Sequence, residues 1–112
     1  MISENSASQP VIRLLAALHR YQRRWELLIK DGLSRHRYRL LHKELMTLQR
    51  YISSFPLLAG DFRQLVMRHA QLLRSLSKPG DDARRNAEVS ALSEKHRMSA
   101  EVLRKGVLAC IA

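Results

Sequence analysis

Between Val11 and Ile29, apolar residues return at steps of three and four: Val11, Leu14, Leu15, Leu18, Tyr21, Trp25, Leu28 and Ile29. That period lays one apolar face along a helix. The helix is expected to open at Pro10, which suits a first turn, and to run to about Lys30, with Gly32 as its stop. Residues 1–9 (MISENSASQ) read as a flexible, polar tail.

A second helix is expected from Ser34, a good N-cap. Tyr38, Leu41, Leu45, Leu48, Ile52 and Phe55 follow a 3-4-3-4-3 spacing, the cleanest stripe in the chain. Pro56 ends it, and Leu57 to Gly60 form an apolar turn. Asp61 is expected to cap a third helix whose stripe is Phe62, Leu65, Val66, His69, Leu72, Leu73 and Leu76. Lys78-Pro79-Gly80-Asp81 is the clearest loop signal.

A fourth helix should start at Asp81 or Asp82, where acids suit the helix dipole. Its first half is shallow (Ala83, Ala87, Val89, Ala91, Leu92), and its second half is expected to bury Met98, Val102, Leu103, Val107 and Leu108. Gly106 interrupts it at a modest cost in propensity. The shallow face leaves room for this helix to pack on a partner. No strand period and no internal repeat occurs. Short loops between periodic helices give an all-α fold, an antiparallel bundle of three to four helices. One domain is expected over 10–112, after the tail over 1–9.

Composition changes this picture only modestly. With 46% hydrophobic residues the chain of 112 residues has enough apolar side chains for a core. The lone Cys110 excludes an internal disulfide framework and reads as a small apolar residue. No apolar run approaches the roughly 20 residues that a membrane span needs. The N-terminus has neither the apolar core of a secretory signal nor the Arg-rich pattern of a presequence, so an intracellular protein is expected.

Charge changes it more. The formal net charge is +10, which calls for an acidic partner. Most of it sits in one place. His19 to Lys43 holds eight Lys/Arg against two acids, so +6 falls within 25 residues centred on the Asp31-Gly32 turn. Arg35, Arg37 and Arg39 enter the first turns of a helix, where the dipole makes each cation cost a few tenths of a kcal/mol. Tolerating that points to anion binding. The expected partner-binding residues are Arg20, Arg23, Arg24, Arg35, Arg37, Arg39 and Lys43. Trp25 and Tyr38 are expected to support the hairpin from its apolar stripes.

The same residues admit three readings. The first is an acidic protein partner within a larger assembly, with Arg forks supplying geometry. The alternative is nucleic acid, held through phosphate contacts as in a ribonucleoprotein particle. It has against it that the aromatics fall on core stripes, where they offer no stacking platform. The third is a secretion-system chaperone or regulator that binds a partner helix in an apolar groove. Catalysis is not expected. His19, His36, His42, His69 and His96 are scattered without HxxxH or HExxH spacing, His69 reads as a buried structural histidine, and Asp61, Asp81 and Asp82 read as caps. No metal site, no cofactor and no Gly-rich phosphate loop is expected.

Leu14-Leu15-Ala16-Ala17-Leu18-His19-Arg20, followed by Arg23, Arg24 and Trp25, resembles the first helix of the LYR-motif family of small basic mitochondrial proteins. Leu18 and Arg20 match the motif, and His19 stands in place of its Tyr. A second frame, Tyr38-Arg39-Leu40-Leu41-His42-Lys43-Glu44-Leu45 with Phe62-Arg63-Gln64-Leu65-Val66, resembles the branch of that family linked to ATP synthase assembly, with Arg37 in place of the motif's Leu. The resemblance implies a three-helix bundle whose basic face receives the acidic helix of an acyl carrier protein, the acyl chain entering the core. It also implies a non-enzymatic accessory or assembly role in mitochondria. Without it the expected location is cytoplasmic.

Overall fold

The computed structural model describes residues 2–80 and 83–110, with side chains from residue 9 onward. Four α-helices follow one another: α1 (Ile2–Asp31), α2 (Arg35–Ile52), α3 (Ala59–Ser77) and α4 (Ala83–Ala109). A single 3-10 turn, Pro56–Leu58, feeds α3. No strand occurs among the described residues. The fold is an all-α bundle made of two hairpins. α1 packs along α2 and α3 along α4, the hairpins join mainly through α1 and α4, and α2 meets α3 only sparsely. The molecule is elongated, 56 × 24 × 18 Å.

Local chemistry accounts for the corners. At the α1–α2 turn Gly32 takes φ +96°, open to glycine at no steric cost. Its N–H donates to the Leu28 carbonyl at 2.8 Å. Ser34 caps α2, its side chain accepting from the Arg37 N–H at 3.1 Å. Two expected boundaries move. α1 begins at Ile2, so the segment expected as a loose tail is helical from residue 2, and Pro10 lies inside the helix. Proline's fixed φ is helical, and the cost is confined to a missing N–H and one crowded carbonyl. α3 begins at Ala59, because the 3-10 turn runs straight into it, so Asp61 sits in the first turn and not at the N-cap. There it still faces the positive end of the dipole. The expected start of α4 at Asp81 or Asp82 lies outside the described residues.

The core joins Val11, Leu14, Ala17, Leu18, Tyr21, Trp25 and Leu28 of α1 to Leu41, Leu45, Leu48 and Ile52 of α2. Leu58, Phe62, Leu65 and Leu72 come from the 3-10 turn and α3, and Ala100, Leu103 and Val107 from α4. The stripes therefore hold through their middles and fail at the corner between α1 and α2. Ile29 and Tyr38 are both exposed there, Tyr38 by 41%. Tyr38, expected in the core, instead borders an open groove of about 330 Å³ where α2 and α3 diverge.

α4 departs further from expectation. Its buried side chains are His96, Ala100, Leu103 and Val107, while Met98 and Val102 face outward, 55% and 54% exposed. Gly106 has a packing reason. A Cβ there would come within 2.8 Å of Leu58 Cδ2, the buried side chain through which the 3-10 turn rests on α4.

Candidate functional site

The basic residues divide by what they touch. Arg20 Nε donates to Glu44 Oε2 at 3.1 Å, tying α1 to α2. Arg23 Nη1 donates to Glu26 one turn on, at 2.9 Å. Arg37 Nη1 donates to the carbonyls of Asp31 and Gly32, both at 3.0 Å. Those carbonyls end α1 and lack helical partners, so Arg37 closes one helix from the start of the next. This offsets the unfavourable place of a cation at a helix N-terminus.

The side chains of Arg24, Arg35, Arg39 and Lys43 make no hydrogen bond or ion pair among the described residues. They do not form one cluster. Arg24 shares a groove of about 200 Å³ with Leu27, His36, Arg37 and Leu40 on the α1–α2 side. Arg35 lies on the other side, in the α2–α3 groove with Leu33, Tyr38 and Leu73. Arg39 and Lys43 are exposed further along α2. The Leu33 groove adjoins a second one of about 510 Å³ that shares Leu33 and Ser77 and reaches Leu28, Ile29, Leu76 and Val89. The end of the bundle thus combines half-exposed apolar side chains (Ile29, Leu33, Tyr38) with Arg35, whose side chain makes no hydrogen bond or ion pair among the described residues. Tyr38 stacks on His42, ring centroids 6.0 Å apart.

Beneath this end lies a buried polar cluster. Tyr21 Oη stands 2.8 Å from His69 Nδ1 and 2.8 Å from His96 Nε2. Trp25 Nε1 donates to Tyr21 Oη at 2.9 Å and approaches His69 Nδ1 at 3.2 Å. The indole N–H fixes the proton order. Since it points at His69 Nδ1, that nitrogen is the bare acceptor. Tyr21 then donates its hydroxyl proton to His69, and His96 Nε2–H donates to Tyr21. Every polar atom on the Tyr21 hydroxyl is then satisfied, with two donors received and one proton given. The rings pack at 5.1 to 5.8 Å between centroids.

The arrangement needs the His69 imidazole neutral, because its Nδ1 accepts, whereas His96 can donate in either protonation state. Burial pushes His69 and His96 down to about 4, with like-charge repulsion from His42 and from His69 respectively as the second cause. Burial also pushes the Tyr21 hydroxyl well up from its ordinary value, with the Trp25 hydrogen bond opposing. The chemistry of the cluster is therefore that of a neutral strut. Trp25, expected to support the α1–α2 hairpin, also joins α1 to α3 and α4 through His69 and His96.

His96 was not singled out by sequence reasoning as a core residue, although Val89, Leu92, His96, Ala100, Leu103 and Val107 keep the helical period through it. Its neighbours Glu94, Lys95 and Arg97 disguise the stripe. No group of three or more His, Cys, Asp or Glu able to hold a metal stands together among the described residues. No helix among them is long and apolar enough to cross a membrane. Neither any family model, nor any curated protein, nor any solved structure matches the chain.

Proposed function

We propose that this chain is a non-enzymatic accessory protein that receives an acidic protein partner at the α1–α2 end of the bundle, within a larger assembly. The observation that carries the reading is the pairing of Arg35, whose side chain makes no hydrogen bond or ion pair among the described residues, with the half-exposed Leu33 and Tyr38 over an open groove, while Arg39 and Lys43 stand exposed further along the same helix. Cations select an acidic surface and steer its approach. The apolar side chains supply anchors that water-exposed ion pairs alone lack. Arg20, Arg23 and Arg37 belong to the scaffold in this reading, and Arg35, Arg39 and Lys43 to the interface, with Arg24 on the other side of the hairpin. An acyl carrier protein is one acidic partner of this kind. The proposal stands on the hairpin surface and not on the family resemblance, which implies three helices where the described residues form four.

A nucleic-acid reading keeps one specific support. Tyr38 is exposed beside Arg35, Arg39 and the stacked His42, so an aromatic face does stand among the cations. Affinity purification of the tagged chain, with and without nuclease, separates the two. The adaptor reading expects an acidic protein at constant ratio that survives nuclease and is lost from the Arg35→Glu/Arg39→Glu chain. Loss of every partner on nuclease treatment refutes it in favour of phosphate binding.

A further inference from the structure

α4 is apolar on two sides. Its inner side, Leu92, His96, Ala100, Leu103 and Val107, is spent on the bundle. Its outer side carries Met98 and Val102, one turn apart and each more than half exposed. They border a groove of about 290 Å³ between α3 and α4, with Asp61, Arg68 and Lys95 on its rim. Two solvent-facing apolar side chains in register on one helix are the stripe that a partner helix reads.

The charges around them say which partner. Along α4, Arg97 is held by Glu94 at 2.6 Å and Arg104 by Glu101 at 2.7 Å, so those cations are neutralised within the helix. Lys95 and Lys105 make no ion pair among the described residues. They stand three residues before Met98 and three after Val102, which places a lysine one turn outside each end of the apolar pair. A second copy of this chain would bring the same lysines against each other, at a formal charge of +10 on each molecule.

We propose that the outer face of α4 is a second docking strip, for an amphipathic helix of a partner protein with apolar residues at i and i+4 and Asp or Glu one turn before and after them. The strip lies on a different pair of helices from the basic hairpin and does not depend on the reading of that end. With both occupied, the chain joins two acidic elements through one rigid bundle.

The test is selection of 18-residue helical peptides from a displayed library on the full chain, with counter-selection on Met98→Ser/Val102→Ser. Enriched peptides are then synthesised and measured by fluorescence anisotropy. The expected peptides carry the apolar pair bracketed by acids. Their affinity falls tenfold or more on Met98→Ser/Val102→Ser and on Lys95→Glu/Lys105→Glu, and stays within twofold on Arg35→Glu/Arg39→Glu. Amide shifts of the unmutated chain on peptide addition, clustered over 95–105 and 64–68, give the same answer without relying on a variant's folding. The proposal is overturned if nothing enriches, if the enriched peptides lack acids, or if they bind the serine double variant equally. It is also overturned if shifts confine themselves to α1 and α2. Sedimentation that finds a dimer dissolved by Val102→Ser assigns the face to a second copy and overturns it as well.

Discussion

At the scale of single residues, the Tyr21 hydroxyl has three hydrogen-bond partners among the described residues of the core. Tyr21 Oη receives the Trp25 and His96 protons and gives its own to His69, so removing it strands the buried His96 donor, while the Trp25 N–H keeps His69 Nδ1. Tyr21→Phe is expected to cost about 1–3 kcal/mol, the range for leaving a buried polar group unpaired. The loss is read as a lower urea midpoint, with Trp25, the only tryptophan, as the fluorescent reporter. A change under about 0.5 kcal/mol, ordinary for surface sites, would mean the hydroxyl bears no such burden. The same cluster sets a pH dependence. The unfolded chain protonates both imidazoles near the usual 6.5, whereas the folded chain holds them neutral down to about 4. The folded-state values are depressed, so the unfolded chain binds more protons in that window. Stability is complete above pH 6.5 and falls as pH drops toward 4, by about 1.4 kcal/mol per unit for each ring. Urea midpoints at pH 7.5 and 5.0 check this, and His96→Gln should flatten the slope. An unmodified chain whose midpoint is the same at both pH values would remove the neutral-imidazole account.

At the scale of elements, the connections carry more of the explanation than the helices. Arg37 closes α1 from α2, so Arg37→Ala should lower stability by about 0.5–1.5 kcal/mol, the net worth of such hydrogen bonds. Arg39→Ala, which breaks no internal contact, should change it by less than about 0.5. Equal effects would dissolve the division between scaffold and interface arginines. Gly106 lets the 3-10 turn settle on α4. Gly106→Leu, driving into the buried Leu58, should cost about 1–3 kcal/mol. Gly106→Ala sets a propensity gain of up to about 1 kcal/mol against displacing one methyl group and should come out near neutral. Thermal melts followed by circular dichroism distinguish these. The sequence disclosed the stripes of α1, α2 and α3 because each has one wet side and one dry side. It did not disclose where a stripe ends, since the exposure of Ile29 and Tyr38 depends on α2 and α3 diverging. Nor did it separate the two sides of α4, where Met98 and Val102 blur the period that His96 completes. The basic hairpin was legible as charge, but Glu44 lies 24 residues from Arg20, and nothing local announces which arginines a fold will use internally.

At the scale of the whole molecule, charge works against the fold that presents it. The described ion pairs are exposed at one partner or both, and three of the five join residues a single turn apart. Each contributes little in water. The +10 excess repels itself over the entire elongated surface. Salt screens both, with a Debye length of about 10 Å at 0.1 M, but it relieves a collective repulsion while removing only weak pairs. The urea midpoint should therefore rise between 50 and 500 mM NaCl, roughly within the range over which that length falls below the spacing of surface charges. A falling midpoint would assign net stabilisation to the ion pairs. Binding at the hairpin responds with the opposite sign, and its steepness names the partner. If Arg24, Arg35, Arg39 and Lys43 all meet phosphates, log K falls with log salt at about −0.9 per contact on duplex, roughly −4 in total. A partner helix seated on Leu33 and Tyr38 keeps its apolar share of the affinity at high salt, so the slope is shallower and a residual affinity survives 500 mM NaCl. One titration series on the intact chain with its purified partner thus decides between a surface that only counts charges and one that also recognises a shape.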